Sequence, residues 1–134
     1  MLSQIHQLSG RAFEKMLKES EVDAFNGAQG RILYVLWEQD YLSITEVGRL
    51  TSLAKTTLTS MLDRMEESGL VERIPDKQNR RQIFIRITDK AKAYRERYDV
   101  VSEEMNQLFY HGFREEEIQE FEDMLRRIKE NLEK

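Results

Sequence analysis

Apolar residues recur at three-to-four-residue steps in several separate stretches, and a capping or turn residue stands at each break between them. Leu2, Ile5, Leu8, Ala12, Phe13 and Met16 form the first stretch and predict an amphipathic helix. A break follows from Glu21 to Phe25. Asn26 then precedes Gln29 by three, a capping-box pair with Phe25 available as a hydrophobic staple. The helix predicted from there carries Ile32, Leu33, Val35, Leu36 and Trp37. Ser43 and Glu46 form a cleaner capping box, opening a short helix with Ile44, Val47 and Leu50. Thr51-Ser52-Leu53 is a tight break before a helix from Ala54 to Glu67, striped by Leu58, Met61, Leu62 and Met65. Gly69 lies just past its end, where a left-handed cap is expected.

The period then changes to two. Leu70 to Ile74 is short and partly alternating, and Pro75 stops it. From Gln82 to Ile87, Ile83, Ile85 and Ile87 alternate strictly with Gln82, Phe84 and Arg86. The residues between, 75–81, read as a polar hairpin tip. Thr88 can cap the next helix, where Ala91, Tyr94, Tyr98, Val101, Met105 and Leu108 form a heptad seam suited to a partner helix. A last helix from Glu115 to Leu132 places Ile118, Phe121, Leu125, Ile128 and Leu132 on one face.

This order predicts a mainly α protein with a two-stranded β-wing. The reading is a winged helix-turn-helix over residues 26–88, flanked by N- and C-terminal dimerisation helices over 1–20 and 89–134. The 134 residues suit a single domain. An arbitrary small α+β domain would show the same element types. The tight break between two short helices, followed at once by a basic hairpin, favours the winged form.

Composition narrows the chemistry. Cysteine is absent, which excludes disulfides, thiolate nucleophiles and thiol-based sensing. The two histidines, His6 and His111, lack ligand spacing, so neither metal nor cofactor is expected. No Ser/His/Asp or paired-carboxylate arrangement is visible, so no enzyme is expected. The run Glu115-Glu116-Glu117 reads as the acidic first turn of a helix. No apolar run reaches membrane-spanning length and no signal-peptide layout opens the chain, so a cytoplasmic protein with no membrane partner is expected.

The net charge of −4 argues against a polycation that coats nucleic acid, but the distribution is uneven. Arg73, Lys77, Arg80, Arg81, Arg86, Lys90 and Lys92 outnumber the acids between Leu70 and Lys92, whereas acids dominate from Ser102 onward. Such a chain can turn one face to a phosphate backbone.

The helix after the tight break supplies the other half of that face. Its start carries Lys55, Thr56, Thr57, Thr59 and Ser60, most of them outward relative to the apolar stripe. Hydroxyls bond phosphates or base edges, and a threonine methyl packs on that of thymine. Capping alone explains one or two hydroxyls, not four in five positions. Arg80 and Arg81 at the hairpin tip can enter a narrow minor groove, although a solvated charged turn looks the same in isolation.

These residues also carry a family resemblance. Leu58 through Arg73 resembles the recognition helix and first wing strand of the MarR family. Asp76-Lys77-Gln78-Asn79-Arg80-Arg81, with Ile87-Thr88-Asp89-Lys90-Ala91, is similar to its wing and the start of its long helix. Phe25 to Gln29 with Ile32 and Leu33 resembles its second helix. The resemblance implies a homodimer whose first and last two helices interlock. It implies two lobes reading a pseudo-palindrome on double-stranded DNA, with half-sites roughly 34 Å apart. It also implies repression relieved by a small, often aromatic or phenolic, ligand held between the dimer helices and the DNA lobe.

The DNA-contacting set is then Ser43, Lys55, Thr56, Thr57, Thr59, Ser60, Arg64, Arg73, Lys77, Arg80 and Arg81. The dimer set is Leu2, Ile5, Val101, Met105, Leu108, Phe121, Leu125 and Ile128. Three positions depart from the family pattern. Ser60 stands where arginine is frequent, Asn79 where aspartate is usual, and Gly30 where a bulkier residue is usual. Asn79 can hold Arg81, but without charge assistance. Gly30 serves either close helix packing or space for a ligand beside Tyr34, Trp37 or Tyr41. A regulator of the same fold that senses no small molecule, controlled by a partner protein or by its own abundance, remains the alternative.

Overall fold

A computed structural model describes every residue from Met1 to Lys134. The elements run α1 (Leu2–Glu19), α2 (Gly27–Glu38), β1 (Leu42–Ser43), α3 (Ile44–Thr51), α4 (Lys55–Glu67), β2 (Val71–Pro75), β3 (Ile83–Ile87), α5 (Asp89–Lys92), α6 (Arg95–Phe109) and α7 (Glu115–Leu132). No helix is long and apolar enough to cross a membrane.

The local signals act as their chemistry requires. The Asn26 side chain accepts from the Gln29 N–H at 2.8 Å, while the Asn26 N–H donates to Gln29 Oε1 at 3.1 Å. That pair closes the capping box of α2. Ser43 Oγ accepts from the Glu46 N–H at 3.1 Å and starts α3, but the expected box stays half-formed because the Glu46 carboxylate pairs with Arg49 instead. Ser52, the C-cap of α3, takes a left-handed conformation at φ 58°, and this sharp corner is the turn of the helix-turn-helix. Gly69 follows α4 at φ +76°, where a Cβ would be strained.

The sheet has three antiparallel strands in the order β1-β3-β2, one more than the predicted wing. Leu42 pairs with Ile85 and Ser43 with Phe84. In the hairpin proper, Val71 faces Ile87 and Glu72 faces Arg86. Tyr41, just before β1, sits at φ 64°. Asp40 Oδ1 accepts from the Tyr41 and Ile87 N–H groups, both at 2.9 Å, and pins this corner to β3.

The predicted long helix is broken between α5 and α6. Thr88 caps it as expected, accepting from the Ala91 N–H at 3.3 Å. The Ala91 carbonyl then accepts from Trp37 Nε1 at 3.1 Å and from the Tyr94 N–H at 3.2 Å. A continuous helix would give that carbonyl to the Arg95 N–H. The indole inserts into the ladder instead, and the chain re-enters a helix one residue after Tyr94.

The core is apolar throughout and joins α1, α2, α4, the sheet and α6. Gly30 stands where α2 meets α6: a Cβ there would lie 2.7 Å from a Tyr98 ring carbon. Close packing is therefore its role, not space for a ligand. Phe25 has no partner for a staple, because the matching position on α2 is Gly30. It packs against Tyr94 (ring centroids 5.6 Å) and Trp37 (6.2 Å) instead. Val101 is fully buried within this core, which removes it from the expected dimer set. The heptad seam turns its first half, Ala91, Tyr98 and Val101, toward the chain's own core.

Replacing Gly30 with alanine should destabilise the protein by about 1–3 kcal/mol through overpacking against Tyr98. Urea denaturation of the two proteins measures this; equal midpoints would mean the ring moves aside freely.

Candidate nucleic-acid interface

The surface is built from α4 and the tip of the β2–β3 hairpin. Leu58, Leu62 and Met65 bury one face of α4 completely, which fixes the opposite face outward. Lys55, Thr56, Thr57, Thr59 and Ser60 are all exposed at its N-terminal end, and Arg64 is exposed further along.

The hairpin tip is ordered by its own polar groups. Asp76 Oδ1 accepts from the Gln78 N–H at 3.0 Å, and the Asp76 N–H donates to the Gln82 carbonyl at 3.0 Å. Asn79 Oδ1 accepts from the Arg81 backbone N–H at 3.2 Å. The side chain expected to brace the Arg81 guanidinium holds the Arg81 backbone instead, as an Asx turn. Lys77, Arg80 and Arg81 are exposed, and the chain's ion pairs use none of them.

Arg73 does not join this set. Its guanidinium pairs with Asp63 at 2.7 Å and Glu66 at 3.2 Å, donates to the Thr59 carbonyl at 3.1 Å, and is only 18% exposed. Its backbone N–H also donates to Glu66, at 3.1 Å. Arg73 therefore ties β2 to α4 and sets the angle between wing and helix. Arg86 is likewise neutralised, by Glu72 across the strand pair at 2.6 Å. The cations at the tip and on the outer face of α4 are among those left without an ion pair. Ser43, the remaining expected contact, is half-buried, and its hydroxyl oxygen is engaged in capping α3.

The expected ligand pocket is not assembled. Trp37 is buried and bonded to Ala91, and Gly30 is covered by Tyr98. Tyr34, one turn after Gly30, stays exposed, and Tyr41 stacks on Phe84 at 4.8 Å beside the wing. Gly30, Tyr34 and Trp37 share one stripe of α2 at steps of four and three, but Tyr98 covers Gly30, the core takes up Trp37, and Tyr41 lies beyond the helix. A cavity of about 500 Å³ lies elsewhere, between α1, the start of α2 and α6. Phe13, Glu14, Arg31, Tyr98 and Phe109 are among its walls. Burial raises the Tyr98 phenol above its ordinary pKa, so it stands there as a neutral donor. No sequence motif marks this cavity, because its walls come from three helices.

Of the remaining dimer set, Leu2, Ile5, Leu108, Phe121, Leu125 and Ile128 are exposed, and Met105 is half-buried. Helix α7 buries none of its residues within the chain.

A short capped helix, a left-handed corner, an outward-facing second helix and a basic wing together define a winged helix-turn-helix protein. A model of the MarR family matches residues 25–83. The HTH-type transcriptional regulator TtmR of Methylorubrum extorquens is 38% identical over 90 residues, covering 67% of this chain and 45% of that protein. The HTH-type transcriptional repressor IacR of Pseudomonas putida is 30% identical over 132 residues, covering 98% of this chain and 77% of that protein. The structure of reduced AbfR bound to DNA, from Staphylococcus epidermidis, superposes with a TM-score of 0.76 at 26% identity. It covers 98% of this chain and 90% of that one. The chain belongs to the MarR family, and its relatives are regulators of transcription, not enzymes. The match spans less than half the length of TtmR.

If Arg73 is a brace and not a phosphate contact, Arg73→Ala should cost about 1.5–3 kcal/mol of stability. It should weaken DNA binding while leaving the slope of log affinity against log salt unchanged. A slope reduced by about 1 would instead make Arg73 a direct phosphate contact.

Proposed function

We propose that the chain is a sequence-specific repressor that binds a pseudo-palindromic operator as a homodimer and is released by a small ligand. One observation carries the reading. The hydroxyl-rich start of α4 and the free cations Lys77, Arg80 and Arg81 are exposed together in an otherwise acidic protein. The hydroxyls and Lys55 suit base edges and phosphates in a major groove, and the tip arginines suit the adjoining minor groove. AbfR, of similar fold and 26% identical, is described bound to DNA, and IacR is named a repressor.

Residues 26–88 would read DNA, and 1–20 with 89–134 would form the dimer layer. The exposed apolar faces support this division. Leu2, Leu108, Phe121, Leu125 and Ile128 are large side chains left open to solvent on α1, α6 and α7. A monomer seldom exposes so much contiguous apolar surface. The cavity bounded by α1, α2 and α6 lies between that layer and the DNA lobe, and Phe13, Phe109, Arg31 and Tyr98 suit a small aromatic or acyl acid.

Two measurements test the proposal. A duplex enriched from a random-sequence pool on the wild-type protein should bind the Arg81→Ala variant about 1–3 kcal/mol more weakly, with a salt slope smaller by about 1. Equal affinity would remove the wing from the interface. Sedimentation of Leu125→Glu/Ile128→Glu should show monomer mass and loss of specific binding, since a like-for-like apolar contact would acquire facing charges. A retained dimer would assign the α7 face another role.

A further inference from the structure

Helix α2 is held at its two ends by unlike means. At the C-terminal end Trp37 Nε1 donates to the Ala91 carbonyl, and the Arg95 guanidinium donates to the Trp37 carbonyl at 2.7 Å and to Glu38 at 3.0 Å. At the N-terminal end a single polar contact arrives from α1. The Gly27 N–H, one of the unpaired donors of the first turn, donates to Glu14 Oε1. The carboxylate sits at the positive end of the helix, where negative charge is favoured. Only a residue without a side chain admits it: a Cβ on Gly27 would lie 2.8 Å from Glu14 Oε1 and 3.2 Å from the Phe13 ring.

Glu14 has no other anchor. It is half-buried and forms no ion pair, although Arg31 borders the same cavity. The cavity of about 500 Å³ opens directly on the contact, with Glu14 and Gly27 both in its wall.

We infer that the Glu14–Gly27 contact is a latch that fixes the angle of the DNA-binding lobe against the α1/α6 layer. The Trp37 and Arg95 contacts at the other end of α2 are its pivot. An occupant of the cavity bears on the latch, and when the carboxylate leaves Gly27 the N-terminal end of α2 keeps only apolar packing, Gly30 on Tyr98 and Phe25 on Tyr94, about which it can tilt, while the other end stays hydrogen-bonded. The swing passes to α3, which packs on α2, and through the corner at Ser52 to α4. The latch is a property of the fold. Its consequence for DNA rests on α4 being the reading helix.

Amide hydrogen exchange and DNA binding on the full chain separate the two parts. Glu14→Ala should speed exchange at Gly27 by about ten-fold or more, while amides of α4 and β3 keep their protection. Glu14→Gln, which keeps an acceptor at the same reach, should restore most of that protection. The freed lobe must be ordered on binding, so Glu14→Ala should also weaken binding to the enriched duplex by about ten-fold. Gly27→Ala, which displaces the carboxylate, should match that loss, and the double variant should be no worse than either single one. Unchanged exchange at Gly27 in Glu14→Ala overturns the latch. Faster exchange with unchanged DNA affinity, or additive losses in the double variant, overturns its control of the lobe. A wild-type protein that enriches no duplex would overturn the DNA reading, and the exchange result would still decide the latch.

Discussion

The contact between the Tyr98 ring and the bare backbone of Gly30 is the constraint on which the rest of the structure depends. With no side chain at residue 30, α6 approaches α2 closely enough for Tyr98 to enter an aromatic cluster. Its ring lies 5.6 Å from Phe13, 6.1 Å from Phe25 and 5.1 Å from Trp37. The same approach lets Trp37 reach the Ala91 carbonyl and Arg95 reach the end of α2. A glycine inside a helix costs about 1 kcal/mol against alanine, so its presence here is offset by that packing. One backbone position thus sets the spacing between the helical layer and the winged lobe.

Charge is sorted in the lobe by internal pairing. Two of the basic residues near the wing are neutralised where they stand, Arg73 by α4 carboxylates and Arg86 by Glu72. These pairs hold α4, β2 and β3 in one rigid frame. Pairing them inward leaves Lys77, Arg80 and Arg81 as the positive surface, on a tip stiffened by Asp76 and Asn79. A net acidic chain can therefore present a small, well-placed positive edge. Its affinity for a polyanion depends on geometry more than on total charge.

Features that depend on neighbours along the chain are legible in the amino-acid sequence. The caps at Asn26, Ser43 and Thr88 and the left-handed Gly69 depend on residues within three positions, and each stands where the pattern predicts it. Features that depend on contacts across the fold are not. Strand β1 is two residues long, too short for a period, and is defined only by pairing with β3. The break before α6 is caused by an indole 54 residues away in sequence. Arg73 reads as a DNA contact because its charge is visible in sequence, whereas its partners Asp63 and Glu66 lie on a different element. The aromatic residues along α2 do not form a pocket for a related reason: spacing puts Tyr34 and Trp37 on one stripe without showing that the core takes up Trp37.

The heptad seam shows the same limit. A period of three and four says that one stripe of the helix is covered, but not by what. Along α6 the answer changes with distance from the lobe. Tyr98 and Val101 are buried by the chain itself, Met105 lies at the margin, and Leu108 is 53% exposed. Helix α7 continues the trend, with a regular apolar stripe and no buried residue. Its charges are also unevenly placed, with Glu115, Glu116 and Glu117 in the first turn and Arg126, Arg127 and Lys129 near the end. A parallel neighbour would align acid with acid. In the proposed dimer, an antiparallel two-fold arrangement would set each acidic start beside its partner's basic end, so one operation would satisfy both the apolar stripe and the charges.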